Sequence, residues 1–489
     1  MATQTTNQYI ALATIRGALW TFASKYSGKI MVFFSTIILA RLLTQEDYGV
    51  AGYAIVVIGF LEILSDVGVS GALIYYEDNP KIAHTAFYLN LLTGLVLFGI
   101  TWAVAPLVGL YFNDDRAIPL TRALATIFPI TSLRNVHRSL FKKRLRFGKN
   151  FVPDVVQSLI KGVFSIGFAF AGLGAWSLVL GQIAGRIGEM FSYWAVSKWR
   201  PKLTFDVSKA KDLLNYGTGL LSISSLGVFL LNIDYLLVGR YLGAAALGVY
   251  TLAFRIPDLV IKEFYSTLAQ VLFPIYARAK EDAEVFAQSV LGTMRYVSLV
   301  TVPIGLGLAI IAEPFIIVFF GEKWLEAVPV LRAISIYTLL TSFAFNIGDI
   351  YKARGRLQTL WWLTIIRAVT LIPALYWAAT VPATIMAVGW TYMAVSLFLT
   401  ILNLVVASRV FDISLPQVFG AFVPSLLGGG LMSAALLLLL PYLSTFPSWL
   451  QLLTMIPVGG LVYVAFLWIV YRNEFIEAKN TLQVAFKRK

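Results

Sequence analysis

Ionisable side chains interrupt long apolar runs at regular spacings, and these are the places where this sequence could do chemistry. Lys25 and Lys29 are four apart and so share a helix face. Glu62 and Asp66 repeat that spacing with the opposite sign. Asp154 and Lys161 occupy one later run, Arg186 and Glu189 stand three apart in the next, and Asp234 and Arg367 each stand alone. Arg255, Asp258, Lys262 and Glu263 crowd around Pro257. A charge at the centre of a bilayer costs roughly 2.5–3.5 kcal/mol on insertion scales, so each should face a partner or an internal cavity. Structural pairs would join Arg186 to Glu189, Arg255 to Asp258, and Lys25 or Lys29 to Glu62 or Asp66. No acidic residue lies one helical turn from Lys25, Lys29, Lys161 or Arg367. With Arg186 and Arg255, these four form a candidate cationic cavity for an anionic group. Glu62, Asp66, Asp234 and Asp258 are candidates to carry a coupling proton or sodium ion.

Other chemistries find little support. The chain has no cysteine, which excludes disulfides, thiolate metal sites and cysteine nucleophiles. Its two histidines, His84 and His137, are far apart, so no metal site is expected. Gly172-Leu173-Gly174 does not follow a strand, and neither a phosphate-binding loop nor a catalytic triad can be argued. No cofactor is implied, and no nucleic acid either, because the +14 net charge is spread over short loops between apolar runs.

The elements that must position these charges are membrane helices. Of 489 residues, 58% are hydrophobic and 13% charged, about half the charged share of soluble domains. The first 16 residues are polar without a signal-peptide layout, so the first apolar run is expected to be an uncleaved helix. Windows of spanning length fall at 17–40, 50–74, 83–110, 117–140, 151–172 and 174–196. After a polar break come 213–239, 247–272, 290–320, 327–351, 358–379 and 384–407, then 417–440 and 448–471. The expectation is therefore an all-α polytopic membrane protein of about fourteen helices. Basic residues concentrate in alternate loops: Lys142 to Lys149, Lys198 to Lys211, Lys352 to Arg356, and the tail Lys487-Arg488-Lys489. By the positive-inside rule both termini are cytoplasmic.

An internal repeat organises the helices. Residues 38–54, ILARLLTQEDYGVAGYA, align with 237–253, LVGRYLGAAALGVYTLA, at an offset of 199. Arg41 then matches Arg240, Gly49 matches Gly248, and Val50 matches Val249. Residues 140–146 and 350–356 align at 210 through Lys142/Lys352, Arg144/Arg354 and Arg146/Arg356. The expected lobes are 1–205 and 206–410, six helices each, related by a pseudo-twofold along the membrane normal. A helix pair at 411–475 and a basic tail at 476–489 follow. Two lobes around a cleft suit alternating access.

Three runs resemble the bacterial polysaccharide transporters: Ile37 to Gly49 (IILARLLTQEDYG), Asp66 to Ile74 (DVGVSGALI) and Asp234 to Gly243 (DYLLVGRYLG), completed by Ala246 to Tyr250 (ALGVY). The chain is most similar to lipopolysaccharide and exopolysaccharide exporters of the colanic and teichuronic acid type, within a superfamily that includes multidrug extruders and the lipid II flippase. That resemblance implies a flippase for undecaprenyl-pyrophosphate-linked oligosaccharides in the bacterial inner membrane. It also implies polysaccharide polymerase and chain-length machinery as partners. The alternatives are a cation-coupled multidrug extruder, which would favour an acidic cavity, and a non-transporting scaffold for polysaccharide assembly. A membrane enzyme would need an acidic metal site or a large outer loop.

Overall fold

The computed structural model describes residues 28–65, 69–75, 80–144, 148–266, 268, 283–345 and 347–472. Lys25 and Asp66 lie outside them. Among the described residues every regular element is helical, and eight helices are long and apolar enough to cross a membrane. The protein is a multi-pass membrane protein. Large apolar side chains stand outward along its helices, among them Leu110, Phe170, Leu438 and Leu461. Lipid can cover such surface, whereas water cannot without cost.

Two compact units divide the chain, Met1–Thr251 and Leu252–Lys489. The first begins with α1 (28–42) and continues through α2 (Gln45–Glu62), α3 (Val69–Tyr75), α4 (Pro80–Phe112), α5 (Ala117–Ala125) and α6 (Ile127–Lys143). It ends with α7 (Gly148–Phe170), α8 (Ala175–Val196), α9 (Val207–Leu230) and most of α10 (Ile233–Pro257). The second contains α11 (Ala283–Ile310), α12 (Ala312–Phe319), α13 (Ala327–Phe343), α14 (Ile347–Ala353), α15 (Leu357–Thr380), α16 (Ile385–Phe411), α17 (Leu415–Gly420), α18 (Val423–Leu443) and α19 (Ser448–Val470).

Several expected spans prove to be broken helices. The window 50–74 becomes α2, a short 3₁₀ turn at Ile63–Ser65, and α3. The window 117–140 splits at Thr126, whose hydroxyl donates to the Ala123 carbonyl at 2.7 Å and so competes with the helix ladder. The windows 213–239 and 247–272 are redrawn as α9 and α10, divided by a turn at Leu231-Asn232. α10 itself bends at Gly243, whose φ of +86° is open to glycine at little steric cost. After Pro257 the chain passes into a π-helical turn, Asp258–Lys262. Apolar content runs through the breaks at Thr126 and Gly243, which is why periodicity alone reads across them.

α2 crosses α10 with almost no side chain between the two backbones. A methyl group on Gly49 would overlap the Ala244 carbonyl oxygen, and one on Gly248 would overlap that of Gln45. Under the sequence offset of 199, Gln45 corresponds to Ala244 and Gly49 to Gly248. The contact is thus reciprocal, with each residue meeting the sequence equivalent of its partner. A methyl on Gly248 would also lie 3.0 Å from the Gly49 amide nitrogen, so the equivalent glycines touch each other. Small residues are what allow helix backbones to approach this closely in a membrane.

In the second unit the final helix pair is anchored rather than loose. Gly428 of α18 faces the Phe466 and Tyr463 rings of α19, and Gly429 faces Val302 and Leu306 of α11. The Tyr463 hydroxyl donates to the Leu299 carbonyl at 2.9 Å. Gly430 faces open space.

Candidate functional site

α8 carries the centre of the candidate site. Its sequence GQIAGRIG places Gly181, Gly185 and Gly188 along one face, a small-residue stripe of the kind that draws membrane helices together. That face meets α7: Gly181 packs on Ser165, Gly185 on Gln157 and Lys161, and Gly188 on Ile160. The backbone of Lys161 is therefore pressed against α8, and its Nζ donates to Gln182 Oε1 at 2.9 Å. Gln182 and Arg186 are one turn apart on α8. On the other side of α7, Gly28 of α1 faces Ser158, and Ser35 fills the space beside Gly162. Lys29, next to Gly28, thus belongs to a helix packed on α7. Three of the expected cavity cations, Lys29, Lys161 and Arg186, lie on three adjoining helices, α1, α7 and α8.

A chain of ion pairs runs through the same region. Arg134 of α6 meets Glu189 of α8 at 2.9 Å with both side chains buried. The other oxygen of Glu189 holds Arg186 Nη1 at 3.3 Å. Arg186 Nη2 reaches Glu62 Oε1, at the end of α2, at 2.6 Å. Arg138, one turn beyond Arg134 on α6, is electrostatically coupled to Asp154, Glu189 and Glu62. The Tyr193 hydroxyl donates to Asn150 Oδ1 at 3.1 Å beside this cluster. Charges on α2, α6, α7 and α8 therefore neutralise one another inside a helical bundle, where an isolated charge would be expensive.

The remaining site residues are distributed differently. Asp234 is fully buried near the start of α10, where it accepts a hydrogen bond from the Tyr250 hydroxyl at 3.0 Å. Arg255, Asp258 and Arg367 belong to the second unit. Asp258 pairs with Lys262, four residues on, at 3.1 Å rather than with Arg255. Glu62 pairs with Arg186 and not with a lysine of the first helix among the described residues.

Arg134 and Arg138 were not singled out from the sequence. The available signal was two arginines four apart inside the apolar window 117–140, the same spacing that marks Lys25 and Lys29. His84 and His137 are both buried; His84 stacks on Trp199, and its Nδ1 accepts the Lys202 amide at 3.2 Å.

The ends of the helices are tied outside this cluster. Thr44 and Asp47 cap the start of α2 reciprocally: the Thr44 amide donates to Asp47 Oδ2 at 3.0 Å, and the Asp47 amide donates to Thr44 Oγ1 at 3.1 Å. In the loop after α4, Arg116 bridges Asp114 and Glu46, each at 2.8 Å, and its guanidinium holds the Asp114 carboxyl below the usual carboxylate range. The first resemblance run thus serves to cap α2 and supply Gly49 to its crossing.

Comparison with known proteins places this architecture. The family described as polysaccharide biosynthesis protein matches residues 38–329, more than half of the chain. The teichuronic acid biosynthesis protein TuaB of Bacillus subtilis (strain 168) is 28% identical over 78% of this chain and 79% of its own. The succinoglycan biosynthesis transport protein ExoT of Rhizobium meliloti (strain 1021) is 24% identical over 95% of this chain and 94% of its own. Among solved structures, the lipid II flippase MurJ in an inward closed conformation superposes with a TM-score of 0.76 at 17% identity, covering 94% of this chain and 99% of that one. An inward-facing multidrug resistance MATE family transporter gives 0.62 at 17% identity, covering 81% and 98%. At those identities the two structures speak for the fold.

Proposed function

The chain belongs to the polysaccharide biosynthesis protein family, and on that premise we propose that it is a flippase for undecaprenyl-pyrophosphate-linked oligosaccharide units. It moves them from the cytoplasmic to the outer leaflet of the bacterial inner membrane for surface polysaccharide biosynthesis. Polysaccharide polymerase and chain-length machinery act downstream as partners. The observation that carries the reading is the placement of Lys29, Lys161 and Arg186 on adjoining helices within one unit. A pyrophosphate head bears several negative charges, and guanidinium and ammonium groups at bilayer depth can replace its lost hydration. The lipid tail can remain in the bilayer.

The architecture we propose has fourteen helices, in lobes 1–205 and 206–410 with a pair at 411–475 and a tail at 476–489. The reciprocal crossing at Gly49 and Gly248 supports a pseudo-twofold between the lobes. Both termini are cytoplasmic. The chain carries out transport rather than catalysis. Coupling to a proton or sodium gradient would use Glu62, Asp66, Asp234 or Asp258.

Proteoliposomes containing the purified chain test this directly. They should speed leaflet exchange of a lipid-linked oligosaccharide above the rate of protein-free vesicles. Alanine at Lys29, Lys161, Arg186 or Arg367, and at Lys25 and Arg255, should slow it. Exchange equal to that of empty vesicles would end the flippase reading. Normal exchange in every variant would end only the site assignment.

A further inference from the structure

Given the flippase reading above, we propose that Glu62 is a resident counter-ion, occupying the outer face of Arg186 that a phosphate oxygen of the cargo later takes. The charges of the first unit form a graded chain. Arg134 and Glu189 are 3% and 4% exposed and 2.9 Å apart. Arg186 is 18% exposed, and Glu62, at its far side, is 34% exposed. The inner link cannot be exchanged, because removing one partner strands a buried charge. The outer link can be exchanged, because a partly solvated carboxylate regains water readily when released. Phosphate presents a guanidinium fork with the same kind of acceptor oxygens as a carboxylate.

In this cluster Glu62, Asp154 and Glu189 face Arg134, Arg138 and Arg186, and Lys142 also acts on Asp154. Withdrawing Glu62 uncovers one further positive charge where an anionic head would arrive. Glu62 stands at a helix end. It is the last residue of α2, and the Ser65 hydroxyl of the following 3₁₀ turn donates to its backbone carbonyl at 2.6 Å. Arg186 meanwhile keeps its hold on Glu189, so its fork stays aimed and little ordering remains to be done when the cargo binds.

The experiment titrates the purified full chain in detergent with undecaprenyl diphosphate and follows fluorescence of its 12 tryptophans. If Glu62 leaves Arg186 uncovered in about one molecule in ten, removing the carboxylate tightens the apparent Kd about tenfold. Glu62→Gln and Glu62→Ala are both expected to tighten binding by that factor, while Glu62→Gln slows exchange in proteoliposomes because release is slower. Arg186→Gln is expected to weaken binding, and adding Glu62→Gln to it to change nothing further. Unchanged or weaker binding in both Glu62 variants overturns the counter-ion role and leaves the flippase reading intact. Lowered melting temperatures in both variants without tighter binding also overturn it, since Glu62 is then a structural partner. If the unmodified chain neither binds undecaprenyl diphosphate nor exchanges its lipid, both fall together.

Discussion

At the residue scale, the energetics of the first unit depend on which charges are buried. Glu189 is ion-paired with two arginines, and Arg134, its innermost partner, is as buried as it is. Arg134→Met leaves Glu189 short of a partner in a dry site. The expected loss is about 3–5 kcal/mol, read as a lowered melting temperature in detergent. Adding Glu189→Met should recover much of it, since an apolar pair of similar volume removes the stranded charge. Failure of the second substitution to recover stability would mean that Glu189 is held mainly by Arg186. Part of this chemistry was legible in sequence. Arg186 and Glu189 stand three apart on one helix, so their pairing follows from helical geometry. Arg134 was not legible as a partner, because its contact with Glu189 joins two helices and depends on their rotation.

At the element scale, glycines decide which side chains meet. Gly185 brings α7 against α8, and a methyl there would lie 2.9 Å from the Lys161 Cβ. Gly185→Leu should push the helices apart, cost about 1–3 kcal/mol by overpacking, and slow lipid exchange through displacement of Lys161. Gly49→Val and Gly248→Val should destabilise by at least as much, since each Cβ would overlap a backbone oxygen that cannot turn aside. Gly59 of α2 faces open space, so Gly59→Ala should cost nothing and gain about 0.5–1 kcal/mol from the lower chain entropy of alanine in a helix. Melting curves of the set in one detergent check the contrast. Equal behaviour of Gly49→Val and Gly59→Ala would remove the close crossing of α2 and α10. The glycines of this crossing were visible in the sequence as aligned positions, whereas their contact was not.

At the scale of the whole molecule, the alternation of basic loops predicts sidedness, and a chain without cysteine is suited to testing it. Leu173 is exposed in the turn between α7 and α8, and Leu203 is exposed in the basic segment before α9. Leu173→Cys should react with a membrane-impermeant maleimide from outside intact cells. Leu203→Cys should react only after the membrane is opened. The reverse pattern would invert the topology. The same rule predicts a cytoplasmic tail, so a tag fused after Lys489 should resist protease added outside intact cells.

What the sequence determined by itself is what depends on local composition: a membrane-embedded helical chain, the sign of its loops, a repeat near 200 residues, and the few charges too costly to leave facing lipid. These follow because insertion free energy is summed along the chain and needs no partner. The tertiary structure decided where helices break, as at Thr126 and Gly243, and which charges pair across helices, as Glu62 with Arg186 and Arg134 with Glu189. A break depends on a hydroxyl or a glycine competing with a ladder that apolar content leaves unmarked. A pair between helices depends on crossing geometry, which is set by small residues such as Gly185, Gly49 and Gly248 once distant segments are in contact.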